Sequence, residues 1–229
     1  MRESFEDRLN RVRTRIADAC ERSGRSPDDV RLLPISKTRG PDEIREAADL
    51  GLTVFGENRV QEAKQKIPMC SGRLSWHMVG HLQTNKARDA VNLFQMIHSV
   101  DSLKLLKAID RHSGEAGSVM PVCLEVNVSG EGSKFGLAPE TVPGMLKAAN
   151  DLMQVDIVGL MTMPPIAQDP EEARGHFRQL RELRDEWRGQ TGFKLSELSM
   201  GMSHDFEIAI EEGATWIRLG TVLFGKREK

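Results

Sequence analysis

Short apolar runs alternate along this chain with stretches whose apolar residues recur every three or four positions. Phe5, Leu9, Val12, Ile16 and Ala19 form one such stripe, a helix over residues 3–23 that Ser23-Gly24 and Ser26-Pro27 close. The first run, Val30-Arg-Leu-Leu-Pro-Ile-Ser-Lys37, reads as a buried strand ending on a lysine before Thr38-Arg39-Gly40-Pro41. Pro41-Asp42-Glu43 then opens a helix to about Leu50. Residues 52–58, 74–80, 96–100, 121–128, 155–161, 195–200 and 214–220 read as seven more strands. Helical segments follow them at 59–66, 85–91, 102–111, 139–152, a charged stretch ending near Trp187, 205–212, and a short turn at 221–225.

Eight strands, each followed by a helical segment, predict an α/β fold: a closed parallel (β/α)8 barrel (TIM barrel). It is expected to form a single domain over 1–229, with the extra N-terminal helix covering the barrel bottom or an outer groove. A doubly wound open sheet also alternates strand and helix, but the chain has no GxGxxG after its first strand and no P-loop. The 32 basic and 34 acidic residues nearly cancel, so no net field recommends nucleic acid or an anionic membrane as partner. Cys20, Cys70 and Cys123 are an odd count without a CxxC, which argues for a reducing compartment and against a disulfide framework or zinc site. The charged start is no secretory signal, and no apolar run approaches the ~20 residues of a membrane span. A soluble, cytoplasmic protein is expected.

Barrel active sites gather at the C-terminal strand ends. Those ends carry Lys37, Asn58, His77 with His81, Ser99, Asn127, Met161 with Met163, Ser199 with Gly201, and Arg218 with Gly220-Thr221. Singly, each is an ordinary loop-start residue or helix cap, and Lys37 a strand-end lysine reaching water. Together they outline a rim on which Lys37 can serve as an amine for a carbonyl. The loops after strands seven and eight, Leu198–Asp205 and Ile217–Thr221, put small residues before helical turns, where backbone amides favour anions. A helix dipole supplies only ~0.3–1 kcal/mol, so direct hydrogen bonds of ~1.5–3 kcal/mol each must do the holding. An aldehyde carrying a phosphate satisfies both ends, which points to pyridoxal 5′-phosphate (PLP) with Lys37 as its Schiff-base partner.

Ile35-Ser-Lys-Thr38, Phe55–Glu62, Trp76–Lys86, Ser133-Lys-Phe-Gly136, Gly159-Leu-Met161 and Leu198–Gly225 together resemble the PLP homeostasis proteins, also called the proline synthetase co-transcribed family. The likeness runs in order from about residue 5 to 225. It implies an alanine racemase-like single-domain barrel and a covalent PLP on Lys37. It also implies phosphate contacts from Ser199, Gly201, Gly220 and Thr221, Asn58 and Met200 along the ring, and Arg218 facing the pyridine nitrogen. Two positions depart from the family pattern. Pro34 removes a ladder donor from a central strand and predicts a bulge or shifted pairing. Arg39-Gly40-Pro41 alters the loop after Lys37.

Arginine is permanently cationic and disfavours protonating the pyridine, which weakens it as an electron sink. The resemblance also implies that racemases of this fold use a tyrosine from a second domain, and this chain has no tyrosine. His81 or His204 is the nearest substitute by motif, and Lys134 is a candidate second amine for loading or release. The simplest expectation is a monomeric carrier that hands PLP to apo PLP-dependent enzymes without catalytic turnover. A PLP-dependent racemase-like enzyme and a cofactor-free Schiff-base aldolase remain open alternatives. His98 is expected inside a strand and His112 at a helix end, with Met161-Thr-Met163 as barrel packing and no metal site.

Overall fold

The computed structural model describes residues 3–70, 72–131 and 135–225. Eight strands are β1 (Arg31–Pro34), β2 (Val54–Glu57), β3 (Ser75–Met78), β4 (Met96–Val100), β5 (Met120–Glu125), β6 (Val155–Met161), β7 (Glu197–Ser199) and β8 (Trp216–Leu219). The helices are α1 (Phe5–Arg22), α2 (Pro41–Asp49), α3 (Val60–Lys66), α4 (Ala87–Leu93), α5 (Leu103–Ala116), α6 (Val142–Ala149), α7 (Arg174–Thr191), α8 (Phe206–Glu211) and α9 (Thr221–Phe224). All strand pairs are parallel, in the order β1-β8-β7-β6-β5-β4-β3-β2. A bridge between Ile35 and Gly56 brings β1 back to β2 and nearly closes the barrel.

Proline 34 marks this closing seam. Arg31 and Ile35 donate their amides across to β8, to Thr215 O at 2.8 Å and Leu219 O at 2.9 Å, while Ser36 donates to Gly56 O of β2 at 3.0 Å. Amides of a strand point alternately to its two neighbours, so the N–H that proline lacks belongs to the β1–β2 side. The predicted bulge is absent: Pro34 pairs with Leu219 in unbroken register, and the register shifts lie at Ile97/Val100 and Val122/Cys123. Gly56 leaves room at this seam: a Cβ would lie 2.5 Å from the tip of the Ile35 side chain, which would have to shift.

Alternation along each strand separates two cores. Val122, Leu124, Ile217 and Leu219 face outward into one large cluster with the helices. Inside the barrel lie Leu33, Ile35, Val79 and Trp216, with Cys123, Met96 and Met161 as a second group. The N-terminal helix takes the outer groove. Its buried stripe, Leu9, Val12 and Ile16 among it, is the one the sequence predicted, and Ser4 and Asp7 cap it reciprocally. Phe5 packs on Phe224 of α9 at 5.2 Å, and Arg15 pairs with Glu207 of α8 at 2.7 Å.

Helix α5 runs five residues past the predicted end at Arg111. Its stop is Gly117, left-handed at φ 67°, and Gly114 passes within the helix. Among the described residues no helix is long and apolar enough to cross a membrane.

Candidate functional site

A cavity of about 340 Å³ opens among the C-terminal strand ends. Lys37, Asn58, Arg218, Gly220 and Thr221 line it, five of the predicted residues drawn from the ends of β1, β2 and β8. Its size falls within the ~300–1,000 Å³ of small-ligand sites.

Lys37 sits in the turn after β1, half-buried, between two tethered neighbours. Ser36 donates its hydroxyl to Glu57 Oε1 at 2.7 Å, and Thr38 donates its amide to Glu62 Oε1. Thr38 adopts φ 65°, a left-handed backbone that a β-branched residue takes only under constraint. The constraint is Lys66, a buried lysine on α3. Its ammonium donates to Ser36 O, Glu57 Oε1 and Glu62 Oε1, each at 2.7 Å, which uses its three N–H groups. Burial pushes Glu57 up despite its hydrogen bonds from Lys66 and Ser36. For Glu62 burial also pushes up, but the bonds from Lys66 and the Thr38 amide outweigh it and its carboxyl is lowered. Arg39-Gly40-Pro41 is compatible with this turn: Gly40 precedes α2, Pro41 occupies its first position, and Arg39 donates to Gly225 O at 2.6 Å.

A second buried polar group enters from inside the barrel. Arg218, 4% exposed, donates to Ser199 Oγ at 2.8 Å and to Thr162 O at 2.9 Å. Guanidinium can only donate, so Ser199 accepts from Arg218. Ser199 Oγ also hydrogen-bonds His98 Nδ1 at 2.7 Å, and His98 Nε2 hydrogen-bonds His77 Nδ1 at 3.0 Å. Burial holds both imidazoles neutral, lowering His77 to about 4 and His98 well below the usual histidine range. Burial also lowers Arg218 to about 10, opposed by Glu125 and Asp205, so it stays cationic at neutral pH.

Three predicted contact residues stand behind the cavity wall. Ser199 is fully buried and spends its hydroxyl on the Arg218–His98 chain. Met200 turns outward into the helix-side core, and Met202 lines the cavity in its place. Gly201 explains the exchange: at φ 91° it reverses the chain, and a Cβ there would lie 2.6 Å from Ala209. The reversal brings Ser203, His204 and Asp205 onto the cavity wall. Asp205 accepts the Met202 amide at 2.6 Å, and Ser203 Oγ accepts the Val222 amide at 3.3 Å, which ties the β7 and β8 loops together. His81 lies apart from this lining, paired with Asp101 at 3.0 Å and stacked on Phe135 at 3.8 Å. Lys134 lies outside the described residues. His98 is interior as expected, and His112 is a partner of Glu115 at 2.9 Å within α5.

Sequence reading missed Lys66, Glu57, Glu62, His77 as His98's partner, Met202 and Ser203. The signal available for Lys66 was its spacing: Glu62 lies one turn before it on α3. Nothing in the pattern set it apart from a solvated helix end.

The donor set suits a phosphorylated aldehyde: an amine on a restrained turn, small residues at Ser203, Gly220 and Thr221, and one fixed cation. Gly220 leaves open approach, since a Cβ there would meet nothing nearer than 3.6 Å.

Comparison with known proteins agrees. The family model of the alanine racemase N-terminal domain matches residues 8–228. A pyridoxal phosphate homeostasis protein of Aquifex aeolicus is 47% identical over 223 residues, covering 97% of this chain and 98% of the relative. One from Pseudomonas aeruginosa is 41% identical over 97% and 95% of the two chains. Among solved structures, PipY of Synechococcus elongatus, determined with PLP bound, is 42% identical with TM-score 0.83, covering 93% of this chain and all of PipY. An alanine racemase of Clostridium difficile shares the fold, with TM-score 0.75 at 16% identity over 57% of its own length. The chain belongs to the pyridoxal phosphate homeostasis protein family and is built on the alanine racemase N-terminal barrel.

Proposed function

We propose that this protein binds PLP in the 340 Å³ cavity, attached covalently through Lys37, and holds it for release without turning over a substrate. The observation that carries the reading is the convergence of Lys37, Asn58, Arg218, Gly220 and Thr221 on one cavity from segments far apart in sequence. PLP, when bound, supplies an aldehyde that condenses reversibly with a primary amine.

Each residue then has a defined task. Lys37 presents the amine, and the Lys66 cluster keeps its two neighbours from moving. Ser203 and Thr221 offer hydroxyls, and Gly220 admits the backbone, for a phosphate. Asn58 and Met202 border the ring space. Ser199 orients Arg218 by its hydroxyl, and Gly201 does so by accepting the Arg218 amide at 2.9 Å. Arg218 keeps a permanent cation on the wall, which opposes adding a proton to a nearby pyridine nitrogen. The chain has no tyrosine to exchange a carbon-bound proton and His204 on the cavity wall is the nearest substitute, so the reading of holding over turnover rests on the Arg218 cation. The PLP-bound state of PipY, 42% identical, supports the ligand, and the homeostasis names of the relatives support the role. Delivery to apo enzymes follows from reversibility of the attachment.

Borohydride reduction of the PLP-loaded protein followed by peptide mass spectrometry tests the reading. The expected adduct is one pyridoxyl group on the peptide containing Lys37, absent after Lys37→Ala. An adduct elsewhere with Lys37 intact, or undiminished labelling of Lys37→Ala, overturns it.

A further inference from the structure

A second chamber of about 530 Å³ adjoins the cofactor cavity and shares Met163, Ile166 and Met202 with it. No residue of the PLP reading other than Met202 lines it. Its walls are otherwise mostly apolar: Val126, Phe135, Pro164 and Pro165. Against these stands Glu125, at the C-terminal end of β5 and 3% exposed. Its Oε2 is buried and has no hydrogen-bond partner among the described residues. A buried carboxylate oxygen without a partner is costly, and a donor reaching the Glu125 carboxylate from the chamber recovers part of that cost.

The Glu125 carboxylate sets the sign of the donor. Glu131 also lines the chamber, and Asn127 turns its Oδ1 to Ser129 Oγ at 3.0 Å and its Nδ2 to Glu131 O at 2.9 Å. No Lys or Arg lines the chamber among the described residues. The unpartnered Glu125 carboxylate accepts a cation and repels a carboxylate, so an α-amino acid fits worse than a simple amine. We propose that the chamber is a binding site for a small primary amine with an apolar body, its ammonium on the Glu125 carboxylate and its carbon chain against Phe135, Pro164 and Pro165.

Electrostatics agree with this placement. Burial and the nearby Asp101 raise Glu125 to about 7, opposed by Arg218. A carboxyl that ionises near neutrality is one that an arriving cation readily holds in its charged form. The inference rests on the PLP reading for its purpose, since it names the class of free amine that could wait beside a covalently held aldehyde. The site itself requires no cofactor.

Calorimetric titration of the cofactor-free, full-length protein with phenethylamine is the test, with phenylalanine and phenethyl alcohol as its carboxylated and uncharged analogues. Phenethylamine is expected to saturate one site, with both analogues at least tenfold weaker. Glu125→Gln should weaken the amine at least tenfold, and Phe135→Ala several-fold. Affinity should rise from pH 6 to pH 8 as Glu125 ionises in the presence of Asp101, Glu131 and Arg218. Equal binding of the alcohol or of phenylalanine, an unaffected Glu125→Gln variant, or no saturable binding at millimolar amine overturns the proposal. Phe135 is 57% exposed, so its variant and the wild-type ligand series decide the matter should Glu125→Gln not fold. PLP uptake is measured on the same samples. Uptake without amine binding removes this inference alone, and amine binding without uptake removes the preceding reading alone.

Discussion

Two buried polar clusters flank the cavity, and they treat charge in opposite ways. Around Lys37, the ammonium of Lys66 meets two carboxylates and a carbonyl, so its charge is answered within the protein. Inside the barrel, Arg218 hydrogen-bonds to the neutral oxygens of Ser199 and Thr162, and the chain beyond it ends in two uncharged histidines. A charge with its counter-ions in place serves as scaffold, and here it holds the turn that carries Lys37. A charge bonded to neutral partners keeps a field to offer, and Arg218 offers it to the cavity it lines.

The largest effect should come from breaking the scaffold. Lys66→Met strands Glu57 and Glu62 and is expected to lower stability by about 3–5 kcal/mol, read as a fall in the urea midpoint. Adding Glu57→Gln should restore part of the loss, because it removes the fully buried stranded carboxylate. A Lys66→Met protein as stable as wild type would dissolve the contrast between the clusters.

Acid attacks the other cluster. His77 titrates near 4 in the fold against about 6.5 unfolded, so below pH 6.5 the unfolded chain binds a proton the native state refuses. Stability is therefore present above pH 6.5 and lost as pH falls towards 4, by on the order of 3 kcal/mol for this residue. Glu125, raised to about 7, acts with the opposite sign, since protonating it favours the fold. The measurement is thus the difference between wild type and His77→Gln, whose urea midpoints should converge on acidification. Parallel pH profiles would show that His77 is protonated in the native state.

Arg218→Leu removes a cation whose partners are neutral, so it should cost less, about 1–3 kcal/mol for the hydrogen bonds lost. Its larger consequence is expected in PLP affinity, at least tenfold by equilibrium dialysis. Equal losses of stability and affinity would mean that Arg218 acts as scaffold too. The smallest effect belongs to the surface. Arg15→Ala breaks a partly exposed pair with Glu207 and should shift stability by about 1 kcal/mol or less.

The barrel was legible because burial on both faces writes each strand as a short apolar run, and because Lys37 ends one such run. β4 and β6 match their predicted limits, β5 begins one residue earlier at Met120, and the other runs extend past one or both strand ends. The scaffold was not legible, since Lys66 in Ala-Lys-Gln-Lys is indistinguishable from a solvated helix end until β1 and β2 are placed beside it. Met200 and Met202 were exchanged for a local reason. Which methionine beside Gly201 lines the cavity depends on the chain reversal at that residue, which composition does not encode. α5 was cut short because a histidine, a serine and a glycine in sequence look like a stop, although the helix passes through all three.

Pro34 gives the Lys66 cluster a further role. Where the proline interrupts the knitting of β1 to β2, Lys66 grips Ser36 O while Ser36 Oγ reaches Glu57, so side chains act as the hasp on that side of the barrel. Lys37 is the next residue along. A fastening made of side chains beside the Ser36–Gly56 backbone bond makes the closing seam, and with it the position of Lys37, depend on the Lys66 ion pairs.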